Sequence, residues 1–140
     1  MNDVIQAIAT ALEPLSSTIP ELQVTAGFNT NPSPPSIDIY PAPDTFLERS
    51  AYGEGSWEAV FVIRARVNTA DTDAGQELLL ELMDPRNNPG SVIIALTTAA
   101  STAGLLYGSG VEFPTGYGEY ADPAGNGTLL GCVWRLRVEL

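Results

Sequence analysis

Two stretches of strict alternation constrain this chain more than anything else in it. From Ser56 to Asn68, Trp57, Ala59, Phe61, Ile63, Ala65 and Val67 fall on one side of an extended backbone. Glu58, Val60, Val62, Arg64, Arg66 and Asn68 fall on the other. From Thr128 to Leu140, Leu130, Cys132, Trp134, Leu136 and Val138 alternate with Leu129, Val133, Arg135, Arg137 and Glu139. Successive side chains of a strand point to opposite faces, so a period of two with one apolar side marks a half-buried strand. The two runs are expected to pair in one sheet with Trp57 and Trp134 in the core.

The helical signals are fewer. Val4, Ile5, Ile8, Ala11, Leu12 and Leu15 recur at helical spacing, with Asn2 or Asp3 as cap and Pro14 placing the end near Glu13. Asp71-Thr72-Asp73 opens a second helix, where Asp73 and Gln76 fit a capping box and Leu78, Leu79, Leu82 and Met83 form the stripe. Ser91 caps a short third helix through Leu96, and residues 99–110 read as a loop. Shorter strands are expected at 22–28 and 36–40, joined by the proline-rich connector 29–35. Residues 44–54 are ambiguous, with a strand start at Thr45, Phe46 and Leu47 and a turn at 52–55. Val111-Glu112-Phe113 is a weak strand that 116–120 extends, and 122–127 reads as a hairpin turn. The order predicts a single α+β domain over 1–140, a mostly antiparallel sheet with helices packed on one face.

Composition narrows the chemistry. There is no histidine, all six basic residues are arginine, and Cys132 is the one cysteine. A Ser–His or Cys–His pair, a P-loop lysine, a Cys/His zinc site and an internal disulfide are therefore all ruled out. The net charge of -11 argues against a groove for nucleic acid, whose phosphates are held mainly by Lys and Arg. No apolar run is long enough to span a membrane, and Met1-Asn2-Asp3 offers no basic leader, so neither a span nor a secretory signal is expected.

The remaining polar groups have ordinary readings. Asp71, Asp73 and Glu77 could hold calcium, but acidic residues at a helix start are favoured by the helix dipole alone. A carboxylate pair for glycoside hydrolysis carries no signal in a chain with 17 acidic residues. Cys132 reads as a buried structural thiol. No catalytic residue, cofactor or metal is expected. Arg64, Arg66, Arg135 and Arg137 share the polar faces of the two long strands. They make either a solvated face or a surface paired with acids of a neighbouring subunit. Phe46, Tyr52, Tyr117 and Tyr120 lie in segments rich in Gly and Pro; each either folds back on the chain's own core or reaches a partner, and tyrosine suits an interface.

In order and spacing, the chain resembles tail terminator proteins of long, non-contractile-tailed bacteriophages. The resemblance runs through Val4-Ile5-Gln6-Ala7-Ile8 with Ile19 to Val24, then the proline-marked strand at 31–37. It continues with the Gly-and-Trp entry at 53–63, the Asp-led helix from Asp71 to Met83, the Ser-led helix from Ser91 to Leu96, a Gly-Tyr-Gly segment and the last strand. It implies a virion protein made in the host cytoplasm, with no enzymatic role. Copies would form a homo-oligomeric ring, usually a hexamer, that caps the major tail tube protein and docks head-completion (neck) proteins. DNA would pass through the lumen without specific binding. An adaptor of the neck is the nearest alternative, with a surface-displayed binding domain and a carboxylate-dependent hydrolase further off.

Overall fold

In the computed structural model the two alternating runs are the centre of the molecule. The structure describes every residue except Asn31, residues 50–54, Ala70, Asp71, Asn88, Pro89, Ala124 and Asn126. Strands β4 (Trp57–Asn68) and β7 (Thr128–Glu139) pair antiparallel over their whole length, from Glu58 opposite Glu139 to Asn68 opposite Leu129. Beyond β4 lie β2 (Ser36–Pro41) and the short β3 (Leu47–Arg49), end to end. Beyond β7 lie β5 (Gly110–Val111) and β6 (Thr115–Ala121), also end to end. Strand β1 (Gln23–Ala26) closes one side, parallel to β2. The fold is α+β with a mostly antiparallel seven-stranded sheet.

Helices α1 (Asn2–Leu12), α3 (Thr72–Met83) and α4 (Val92–Ala100) supply one cover. Val4, Ile8 and Leu12 of α1, Leu79 and Leu82 of α3, and Val92 and Leu96 of α4 meet Phe61, Ile63, Trp134 and Leu136 in one continuous core. Gly75 of α3 sits against the end of β4, where a Cβ would come within 2.6 Å of the Asn68 carbonyl oxygen. Any larger residue there would push helix and sheet apart.

Several expectations need correcting. Met1, not Asn2 or Asp3, holds the cap position of α1, although Asp3 Oδ1 accepts a hydrogen bond from the Val4 amide. Helix α1 ends where expected, with Glu13 as its C-cap, and Pro14 then leads into the one-turn α2 (Leu15–Thr18), as its fixed φ allows. Helix α3 already includes Asp73 in its first turn, so that residue is not the cap; Asp71 lies outside the described residues. Ser91 holds the cap position of α4 as expected, though without a side-chain cap bond, and α4 runs on to Ala100, into the expected loop. Trp57 is 43% exposed and leaves the core, with Arg49 stacked 5.2 Å from its ring centre.

The polar face of the long strands is the larger surprise. Val60, Val62 and Arg66 are as buried as the helix-covered side. Two things cover them. Ala42 and Tyr40 pack on Val60, Val62 and Val133 as a second small cluster. The connector between β1 and β2 supplies the rest. Parallel neighbours need a crossover, and the usual one is a helix. Here residues 27–30 and 32–35 lie along the helix-free face instead, with the Asn29 amide on Asp38 and the Ser33 amide on Gln23. Ser36, Asp38 and Arg66 end up beneath this strap.

Candidate functional site

The arginine-bearing face has two halves. Under the strap, one carboxylate serves two guanidinium groups. Asp38 is fully buried on β2, opposite Arg64 on β4. Arg64 donates from Nε to Oδ1 at 3.0 Å and from an Nη to Oδ2 at 2.6 Å, a two-pronged pair. Arg66, 1% exposed, lies 3.5 Å from the same Oδ2 and donates to the Asn29 carbonyl at 3.0 Å. Among the described residues its Nε has no hydrogen-bond partner. Burial works against the charge on both. For Arg64 the hydrogen bonds and charge of Asp38 outweigh it and the pKa is raised; for Arg66 burial wins and the pKa is lowered. The arginine in the two-pronged pair is thus the better stabilised cation. Arg64 also lies 4.9 Å from the ring centre of Phe28 and 5.1 Å from that of Tyr40, which meet edge to face.

The other half is open to solvent. Arg135 reaches Asp44 at 3.2 Å and Glu112 at 3.6 Å, and Arg137 reaches Glu58 at 3.0 Å and Glu48 at 3.4 Å. Hydrogen bonding to Glu58 raises the Arg137 pKa. Glu58 stands opposite Glu139, so Arg137 also relieves a like-charge pair. All four arginines therefore find acidic partners inside their own chain. Arg66 is not a surface residue at all, and only the β7 pair stays partly open to solvent.

The aromatic candidates separate too. Phe46 folds back on the core, edge to face with Phe61 at 5.6 Å. Tyr120 is half-buried; its hydroxyl donates to the Gly116 carbonyl, and its ring covers Gly131, where a Cβ would meet the ring at 3.1 Å. Tyr117 stays 43% exposed on β6. Tyr52 lies outside the described residues. The sequence reading passed over Phe113, 82% exposed, Phe28, 59% exposed, and Tyr107. Asp38 is not singled out by the sequence either, although its place on one face of β2 with Ser36 and Tyr40, alternating with Ile37 and Ile39, is the available signal.

A groove of about 740 Å³ along α3 is lined by Asp73, Glu77, Glu81, Asp84 and Arg86. Burial pushes the Cys132 thiol up to about 12, which makes it a poor nucleophile. Among the described residues no three His, Cys, Asp or Glu side chains converge as metal ligands, and no helix is long and apolar enough to cross a membrane. No protein-family model and no curated protein matches the chain.

Proposed function

We propose that this chain is a structural ring subunit of a long-tailed phage, a tail terminator that ends tube growth and presents a docking surface to the neck. The observation that carries the reading is the element order. An N-terminal helix, a proline-marked strand, a long Trp-led strand, two helices and a last long strand follow one another as in the resemblance. Two further features support it. The described arginines are engaged in chain-internal contacts, which suits a scaffold more than a catalyst. Exposed Phe28 follows the edge strand β1, exposed Phe113 precedes the edge strand β6 and exposed Tyr117 lies on it, where a neighbour would sit.

The role is geometric. One ring face matches the last ring of tube, and the other offers no site for a further tube subunit. Each copy brings a net charge of -11, so an acidic lumen would let the phosphate backbone pass without adhering. The test is tube growth. Tail tube protein polymerised with this chain should give shorter tubes bearing an extra ring at one end under the electron microscope. Tubes of unchanged length at a molar excess of the chain would reject the reading. Binding to head-completion protein alone would favour the neck adaptor.

A further inference from the structure

We infer that copies of this chain join edge to edge, the open side of β1 in one copy pairing with the open side of β6 in the next. The inference rests on the ring reading above and says where the ring contact lies. Among the described residues no strand lies beyond β1 on one side of the sheet or beyond β6 on the other. A free strand edge presents unpaired amides and carbonyls, and proteins that stay single guard such edges with Lys, Pro or inward charges. Strand β1 carries no charge and no proline, and β6 carries Glu119 alone.

The two edges fit each other. On β1, the Gln23 amide donates to Pro35 at 3.0 Å and the Gly27 amide to Ile39 at 2.9 Å. Alternation therefore turns the Val24 and Ala26 amides away from β2. On β6, Asp122 donates to Gly127 at 2.9 Å, and Tyr120 and Gly118 stand in step with it opposite Leu129 and Gly131. The Glu119 and Ala121 amides then point away from β7. The bulge between Thr115 and Gly118 leaves 118–121 regular, four residues against the four of β1.

Direction agrees as well. From β1 the strand sense is kept in β2, reversed in β4, reversed again in β7 and once more in β6. The two edges of one copy thus run in opposite senses, and a second copy added with the same face up meets the first antiparallel. Charge favours this contact over others in so acidic a chain, because Glu119 would face an uncharged strand rather than another acid. Joining two different edges is a head-to-tail contact, which closes into a ring or runs on as a filament.

Two proline variants test it, each placed where the amide is not used within its own sheet: Ala26→Pro and Glu119→Pro. The full chain is measured by sedimentation velocity and native mass spectrometry, with circular dichroism to confirm folding. The wild type should assemble and each variant alone should stay single. An equal mixture of the two should stop at pairs, because each variant keeps one working edge. Hydrogen exchange on the wild type gives a second reading that needs no variant. The Val24, Ala26, Glu119 and Ala121 amides should slow at least tenfold on assembly. A wild-type ring matched by rings of both folded variants would overturn the inference and leave the ring reading standing, as would unchanged exchange at those amides. A wild-type chain that stays single at every concentration would also overturn it, and the tube-growth assay then decides the proposed function independently.

Discussion

The two Arg-x-Arg pairs have the same spacing, the same sheet face and opposite fates. Arg64 and Arg66 on β4 share the buried carboxylate of Asp38 beneath the strap. Arg135 and Arg137 on the neighbouring β7 hold acids at the surface. Alternation decides which face a side chain takes, but what crosses that face decides whether it is buried. The energetics follow. A buried carboxylate between two cations cannot be removed without leaving charge uncompensated in a poorly solvated place, whereas exposed pairs trade one set of solvent contacts for another.

The comparison is most easily broken at Asp38. Asp38→Ala should lower unfolding stability by about 3–5 kcal/mol in chemical denaturation. A loss under about 1 kcal/mol would mean that the strap leaves the pair well hydrated. The tryptophans offer the same contrast in apolar terms. Trp134 is fully buried and Trp57 is not, so Trp134→Ala should remove about 3–5 kcal/mol and Trp57→Ala less than about 1 kcal/mol. Equal losses would put Trp57 back in the core. Arg137→Ala should shift stability by no more than about 1 kcal/mol, and roughly 1 M salt should shrink even that. The last contrast concerns Cys132, whose effect on stability is confined to alkaline pH. Its raised pKa means that the fold disfavours the thiolate. Its contribution is fully present below the free thiol range of about 8.5 and declines as pH rises toward about 12. Alkylation of the native protein at mildly alkaline pH should therefore be far slower than in denaturant, and equal rates would contradict the burial.

Those contrasts also mark what the sequence made legible. The pairing of β4 with β7, the helix-covered face and the α+β class followed from period alone, because Phe61, Ile63, Trp134 and Leu136 carry an unambiguous pattern. Arg66 could not be placed that way. Its burial depends on the segment around Asn29 lying over the sheet, and a short crossover without a helix has no periodic signature. Trp57 failed for a related reason, since pattern assigns a face but not how far along the strand the cover reaches. Of the candidate surface, Tyr117 was legible as an exposed aromatic in a Gly-rich segment. Phe113 was not, because its exposure depends on β5 ending at Val111 and the chain passing Pro114 before β6 begins.

The pairing of β4 with β7 has a consequence in time. About sixty residues separate the end of one from the start of the other. At a synthesis rate of roughly 5–20 residues per second, β4 emerges from the ribosome several seconds before β7 exists. For that interval the most apolar strand of the chain lacks its main neighbour, and closing so long a loop makes the pairing slow as well. The nascent chain is then at its most vulnerable to premature association, and the rate at which translation crosses the two intervening helices becomes a determinant of how much protein reaches the folded state.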